Sequence, residues 1–423
     1  MLLTKIRGIA LNHGRKKVQY KYFLNISENK KGLYRLIQKH PTPFFVADKK
    51  LLTNRLDQLK STLDNYWKNN KVAYSFKTNY EIAKSHPIKN RGCWAEVVSG
   101  KEYKMAKKIG FKGPQIIFNG PYKTDNELNL ALKDGAMVFI DNLPELRRII
   151  KIARLQPKLV NIGLRVNTKI SYLAQSRFGF SIDNNEARDA IKIINSSGFL
   201  NLSSFHIHLG SDIDNPMFFK EATDSLCNFI RNEVSKYTTL IKTLDFGGGF
   251  PAHGLSPYGR RSWNPQPIEK YIKAITNELK KNFPDNNQPT LILEPGRYIA
   301  DDAVILITRV IANKTSYSQH QATVDATVNM LPLVWYRPQI VQVYNSNLKL
   351  MTNKLNTKIY GSSCQEDDLL YSGYLPSAKV GDYLIFYCVG AYNETIGSEF
   401  IFDKPPFFYL NYKGGDIGPL LVH

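Results

Sequence analysis

Eight short runs of β-type residues alternate with helix-capable segments through roughly the first 300 positions of this 423-residue chain. They are Val72–Phe76, Trp94–Val98, Gln115–Asn119, Met137–Ile140, Asn161–Val166, Ser204–Leu209, Thr243–Phe246 and Thr290–Glu294. Leu52, Leu56, Leu59, Leu63 and Tyr66 recur at helical spacing behind Asp48, a residue type suited to an N-cap. Ile268, Tyr271, Ile272, Ile275 and Leu279 repeat the pattern. Strands separated by helices pair in parallel through right-handed crossovers. Eight such units predict a closed (β/α)8 barrel over residues 44–300. An open doubly wound sheet is the other solution, but no Gly-x-Gly-x-x-Gly follows the first run. Beyond about residue 300 helical periodicity fades, and Val304–Ile311, Ile340–Tyr344, Lys358–Tyr360 and Tyr383–Val389 read as strands of a second, all-β domain, a sandwich or barrel. Residues 1–43 lack barrel features and are expected to join residues 301–423 there.

Composition narrows the class of protein. The chain is 43% hydrophobic and 22% charged, as in ordinary globular proteins. No apolar stretch reaches the length of a membrane span, and the start lacks an apolar core followed by a small-residue cleavage site. Cys93, Cys227, Cys364 and Cys388 are too scattered for a disulfide framework or a zinc knuckle, so a reducing, cytoplasmic setting is the simplest expectation. The net charge of +21 raises nucleic-acid binding, but the lysines are spread in short groups and no recognition module is present. No nucleic acid and no membrane are expected as partners.

In a barrel of this kind the chemistry sits at the C-terminal strand ends. Lys77 closes the first run, and a lysine there suits Schiff-base chemistry, because burial disfavours the ammonium and exposes a nucleophilic amine. A snorkelling surface lysine is the plainer reading. Gly247, Gly248 and Gly249 follow the seventh run, where bare backbone N–H groups approach an anion such as phosphate, or simply make a tight turn. Arg297 would add a charge-assisted bond to that anion, or a salt bridge at the rim. His206 and His208 share one strand face. They suit a metal, a ring stacked on a planar cofactor, or a satisfied core; no carboxylate or cysteine stands at companion spacing, so no metal is assigned.

Ten blocks then occur in one order: Tyr74 to Asn79, Val97 to Glu102, Ile117 to Pro121, Ser176 to Gly179, His206 to Ser211, Asp245 to Pro251, Glu294 to Arg297, Val324 to Ala326, Cys364, and Gly390 to Tyr392. Together they resemble the pyridoxal-phosphate-dependent decarboxylases of fold type III, which include diaminopimelate, ornithine and arginine decarboxylases. The resemblance runs from about Pro43 to Pro405. It implies pyridoxal 5′-phosphate attached to Lys77 and stacked under His208. It implies a phosphate held by Ser211, Gly247, Gly248, Gly249, Gly296, Arg297 and Tyr392. Glu294 would keep the pyridine nitrogen protonated, making the ring an electron sink for decarboxylation rather than racemisation. Cys364 would reach the site from the partner of a head-to-tail homodimer and help protonate the product carbanion; alone it reads as a small buried hydrophobe.

The match loosens at the substrate's far end. The arginine that grips a distal carboxylate in diaminopimelate decarboxylases aligns with Leu333, and Arg337 lies four residues later. The acid expected after the cysteine is Gln365, with Glu366 next. Losing a buried charge partner costs about 3–5 kcal/mol, a hundredfold or more in affinity at about 1.4 kcal/mol per decade. Arg337, Gln365 and Tyr392 are therefore the substrate candidates. The sequence reading favours an amino acid without a free distal ammonium, such as an N-acyl or citryl diamino acid of siderophore biosynthesis. Diaminopimelate, or ornithine, lysine or arginine, is the alternative. A non-catalytic regulatory binding protein is a third, though such relatives tend to lose the lysine or phosphate ligands kept here.

Overall fold

The computed structural model describes residues 29–237, 240–254, 265–317 and 319–410. Eight parallel strands close into a barrel: Asn70–Ser75, Trp94–Val97, Ile116–Phe118, Met137–Ile140, Val160–Asn167, Leu200–Ile207, Thr243–Asp245 and Thr290–Leu293. Closure is made where Leu291 registers with Asn70. All eight expected runs are strands, within a few residues at each end. The helix Lys49–Tyr66 begins as expected, with the Asp48 side chain accepting from the Lys50 and Leu51 amides at 2.8 and 3.1 Å. Its Leu52, Leu56, Leu59 and Leu63 are buried.

Side-chain alternation builds the site. Ala73, Ile117, Phe139 and Ile292 form a small apolar layer inside the barrel, with Trp94 and Met137 packed on it. Two residues further along the same strands come Ser75, Glu96, Asn119, Asp141 and Glu294. Because a strand repeats every second residue, these polar groups face the same interior, one layer nearer the C-terminal mouth. The outward residues between them, Tyr74, Ala95, Phe118, Ile140 and Leu293, pack into the main core.

The second domain is one eight-stranded, mostly antiparallel sheet. Val304–Ser316 is its spine, pairing with Tyr383–Tyr387, Phe44–Asp48 and Gln319–Val324. The Phe44–Asp48 strand corrects the expected boundary at residue 44: it hydrogen-bonds to Val304–Ile307 and to Phe407–Leu410, so the barrel starts only at the following helix. Leu33 and Leu36 of the helix Lys30–Lys39 pack with Phe44, Val46, Ile305 and Ile307 in this domain's core. Of the expected placement of residues 1–43, residues 1–28 lie outside the described ones.

Candidate active site

Lys77 lies one step beyond its expected place. The strand ends at Ser75, and Lys77 sits in a single 3-10 turn, Phe76–Thr78, anchored by fully buried Phe76. The second domain clamps this turn. Tyr392, at φ +68°, donates its amide to the Thr78 carbonyl at 2.7 Å, and the Thr395 hydroxyl donates to the Lys77 carbonyl at 2.9 Å. Asn79 reaches the Gly390 carbonyl at 2.9 Å.

The Lys77 ammonium is ion-paired with Glu96, and a third of its side chain stays open (33%). Burial alone would push its pKa down, but the charges of Glu96 and Glu294 outweigh burial and hold it above the usual lysine range. Burial alone therefore does not free the amine in this state, since the neighbouring carboxylates favour its charged form.

Glu294 is buried, accepting from the Asn119 amide at 2.6 Å and lying 3.4 Å from His206 Nε2. Burial raises its pKa, opposed by Lys77. Burial and the neighbouring Glu294 carboxylate push Asp245 well above the carboxylate range. Burial and mutual repulsion in this pair favour the protonated form of Asp245. His206, Asp245 and Glu294 bring ligand atoms within 4.8 Å of one another. The carboxylates missing beside the histidines along the chain are thus supplied by other strands.

His206 and His208 share a face as expected, their rings stacked at 6.4 Å and 15°. Desolvation and then the Arg165 charge push both well below the usual imidazole range, so both are neutral. Arg165, from the fifth strand, pairs with Asp141 at 3.2 Å.

The glycine turn is forced by packing. Gly247 has φ +61°, and a Cβ there would stand 2.6 Å from His208 Nδ1; one on Gly248 would stand 2.4 Å from the Glu294 carbonyl. At Gly249, φ +96°, it would meet the Gly210 carbonyl at 2.4 Å. Three strand ends therefore converge on this turn. The Gly247 amide donates to Asp245 at 2.8 Å and the Gly248 amide to His208 Nδ1 at 3.2 Å. Gly296 is equally tight, its Cβ position 2.0 Å from Thr78 Oγ1. Arg297 follows it, lying over the Tyr392 ring at 5.2 Å and against Asp212 at 3.3 Å and Asp301 at 3.2 Å. Ser211 is exposed on the adjoining loop.

The remaining candidates lie in the second domain. Arg337 is 4% exposed and held by Asp212 at 3.1 Å and Asp301 at 3.6 Å. Gln365 accepts from Asn329 at 2.8 Å, and the Leu333 amide donates to Asn393 Oδ1 at 3.1 Å. Cys364 is exposed, not a buried hydrophobe. Glu96 and Asp212 line this mouth but were not reached by the reading of strand ends, whereas Asn119 ends the third expected run and Asp245 opens the sixth resembling block. Glu96 was findable by stepping two residues on from Trp94.

A mouth with a lysine, a buried acid pair, a neutral imidazole and a glycine turn beside an arginine fits a phosphorylated pyridine aldehyde. It offers an amine for the aldehyde, carboxylates for the ring nitrogen and a cation for the phosphate. Residues 50–301 match the family model for the pyridoxal-binding domain of the pyridoxal-dependent decarboxylases, and the chain belongs to that family. It is a fold type III, pyridoxal-phosphate-dependent carboxy-lyase. Diaminopimelate decarboxylase of Bacillus methanolicus is 29% identical over 404 residues, covering 92% of this chain and 91% of its own. The Methanocaldococcus jannaschii enzyme of that name is 28% identical over 397 residues, covering 90% and 88%. A crystal structure of the M. jannaschii enzyme superposes with a TM-score of 0.79 at 25% identity, covering 91% and 90%. No helix among the described residues is long and apolar enough to cross a membrane.

Proposed function

We propose that the chain removes the α-carboxylate of diaminopimelate, releasing CO2 and lysine. The observation that carries this reading is the relatives' shared name over nine-tenths of the chain, supported by the strand ends that bring His208, the 247–249 turn and Glu294 together. The sequence-based preference for a siderophore intermediate finds no support among these relatives.

When bound, the cofactor supplies an electron sink for the bond that breaks. The chain's own residues do the rest. Lys77 would hold the cofactor covalently through Nζ. Glu294, backed by Asn119 and Asp245, would keep a proton at the pyridine nitrogen. Neutral His208 would offer the ring an uncharged neighbour. The 247–249 turn, Ser211, Gly296, Arg297 and Tyr392 would bind the phosphate. Cys364, exposed on one chain, would supply the proton that replaces CO2, in a partner's site within a homodimer with shared active sites.

A second reading rests on one specific observation. The resemblance to diaminopimelate decarboxylases expects a distal-carboxylate arginine at Leu333 and a distal-ammonium acid at Gln365, while Arg337 is held by two aspartates and Gln365 accepts from Asn329. That end suits an amino acid whose distal nitrogen is acylated. Turnover of diaminopimelate, ornithine, lysine, arginine and N-citryl-ornithine separates the two. Selective lysine release from diaminopimelate supports the first; selective turnover of the citryl compound, with diaminopimelate inert, replaces it with the second.

A further inference from the structure

Cys364 sits in the loop that joins two paired strands, Leu355–Tyr360 and Leu369–Leu375. An exposed thiol on such a loop can point many ways unless the backbone beside it is fixed. Asp368, the last residue of the loop and 2% exposed, supplies the fixing. One of its carboxylate oxygens accepts from the Val328 amide at 2.7 Å. The other accepts from Ser363 twice, from the amide at 2.9 Å and from the hydroxyl at 2.5 Å. The Asp368 backbone also closes the loop. Its carbonyl accepts from the Gly361 amide at 2.7 Å, and its amide donates to the Gln365 carbonyl at 3.1 Å. Ser363 passes the restraint on, its hydroxyl oxygen accepting from the Gln365 amide at 3.3 Å. Both chain neighbours of Cys364 are thus tied to Asp368, while Cys364 itself is exposed.

The donors around Asp368 call for a carboxylate. They approach both of its oxygens, and only an ionised carboxyl accepts on both. An asparagine would turn its NH2 toward one set of donors and leave a buried N–H facing an N–H. Gly361 packs against the same carboxylate, a Cβ there standing 2.3 Å from both oxygens. The loop is also registered against the segment after Gln319–Val324, through the Val328 amide and through the Ser362 amide, which donates to the Ala326 carbonyl at 3.1 Å. We infer that Asp368 is a positioning residue: by holding Ser363 and Gln365 it fixes the direction in which Cys364 presents its thiol to the partner's site. The inference rests on the role proposed above for Cys364. A residue that only staples the loop stabilises the chain whether or not position 364 carries a thiol. A positioning residue matters to the proton transfer only while the thiol is there.

The test is a cycle of variants of the full chain with pyridoxal 5′-phosphate: the parent, Asp368→Asn, Cys364→Ala and D368N/C364A. Two quantities are read. One is kcat with whichever amino acid named above the parent decarboxylates fastest; kcat is chosen because Gln365 is itself a substrate candidate and would show in KM. The other is the cofactor concentration that half-saturates the visible band. Cys364→Ala is expected to lower kcat about a hundredfold, the loss of a general acid. Asp368→Asn is expected to lower kcat about tenfold, as for a misplaced reacting group, and to leave half-saturation of the band within about threefold of the parent. In D368N/C364A, kcat is expected to match Cys364→Ala within about threefold, since residues that act through one thiol are not additive. A larger further loss in the double variant, an unchanged kcat in Asp368→Asn, or weaker cofactor binding in Asp368→Asn overturns the inference. Should Asp368→Asn not fold, Ser363→Ala decides in its place by the same cycle. It removes only the hydroxyl's bonds, and a loss of about threefold is expected with Cys364 present and none without it. A Cys364→Ala variant with the parent's kcat overturns the role proposed for Cys364, and a parent that decarboxylates none of the amino acids overturns the proposed function; either takes the inference with it.

Discussion

Lys77 and Glu96 form an ion pair at the mouth of the barrel, joining the turn after the first strand to the inner face of the second. The pair keeps Lys77 charged until a cofactor arrives, so covalent attachment draws on the small fraction of neutral amine. Attachment should therefore quicken as pH rises toward the elevated lysine pKa. Glu96→Gln removes one of the charges that raise it, and the pH–rate profile for appearance of the cofactor's visible band should move down by about one unit or more. A profile that stays in place would show that Glu96 does not govern the amine.

Glu294→Gln should separate binding from chemistry. The amide can still take up space and accept a hydrogen bond, but it cannot keep a proton on the ring nitrogen. The visible band should persist in the variant while kcat for CO2 release falls about 100- to 1000-fold. Equal loss of band and turnover would mean that Glu294 serves binding alone.

Away from the chemistry, Lys123 is wholly buried. It donates to the Gly120 carbonyl at 2.7 Å and pairs with equally buried Glu145 at 3.0 Å. Burial, only partly offset by Glu145, presses the Lys123 pKa down. Lys123→Met leaves Glu145 without its cation and should cost about 3–5 kcal/mol in urea unfolding. The double variant K123M/E145M should recover much of that loss, because two apolar side chains leave no charge stranded.

Asp302 links Arg55, at 3.0 Å, to His253, at 2.9 Å. Burial works against its charge, but the His253 hydrogen bond and the Arg55 charge win and hold the carboxyl below its usual range. A depressed folded pKa means the stabilisation is complete above the unfolded value, about 3.9, and is lost as pH falls through the lower folded value. Thermal melts from neutral pH to pH values below that should show a shallower acid decline in Asp302→Asn, from a lower starting point. An identical slope would remove Asp302 from the acid transition.

The barrel was legible because its strands are buried on both faces and read as unbroken β-type runs, such as Met137–Ile140. In the second domain Gln319–Val324, Leu369–Leu375 and Phe407–Leu410 were missed. Gln319 and Gln321 are half-exposed, so polar residues interrupt the first; Ser372 and Gly373 interrupt the second; the third is four residues behind two prolines. Lys77 was found as a residue, but its charge state was not, because that depends on Glu96 and Glu294 from other strands. Asp212 looked like an ordinary loop residue, since only folding brings Arg297 and Arg337 to it.

The central claim is that Lys77 anchors pyridoxal phosphate for decarboxylation of an amino acid. Its most direct measurement is CO2 release from carboxyl-labelled diaminopimelate and the other amino acids named above, by the parent and by Lys77→Ala, alongside the visible spectrum. The account predicts a band at about 420 nm for the attached cofactor and CO2 in step with amine product in the parent, with both lost in Lys77→Ala. A parent that binds the cofactor yet releases CO2 from none of them, or a Lys77→Ala variant that keeps the band, would contradict it.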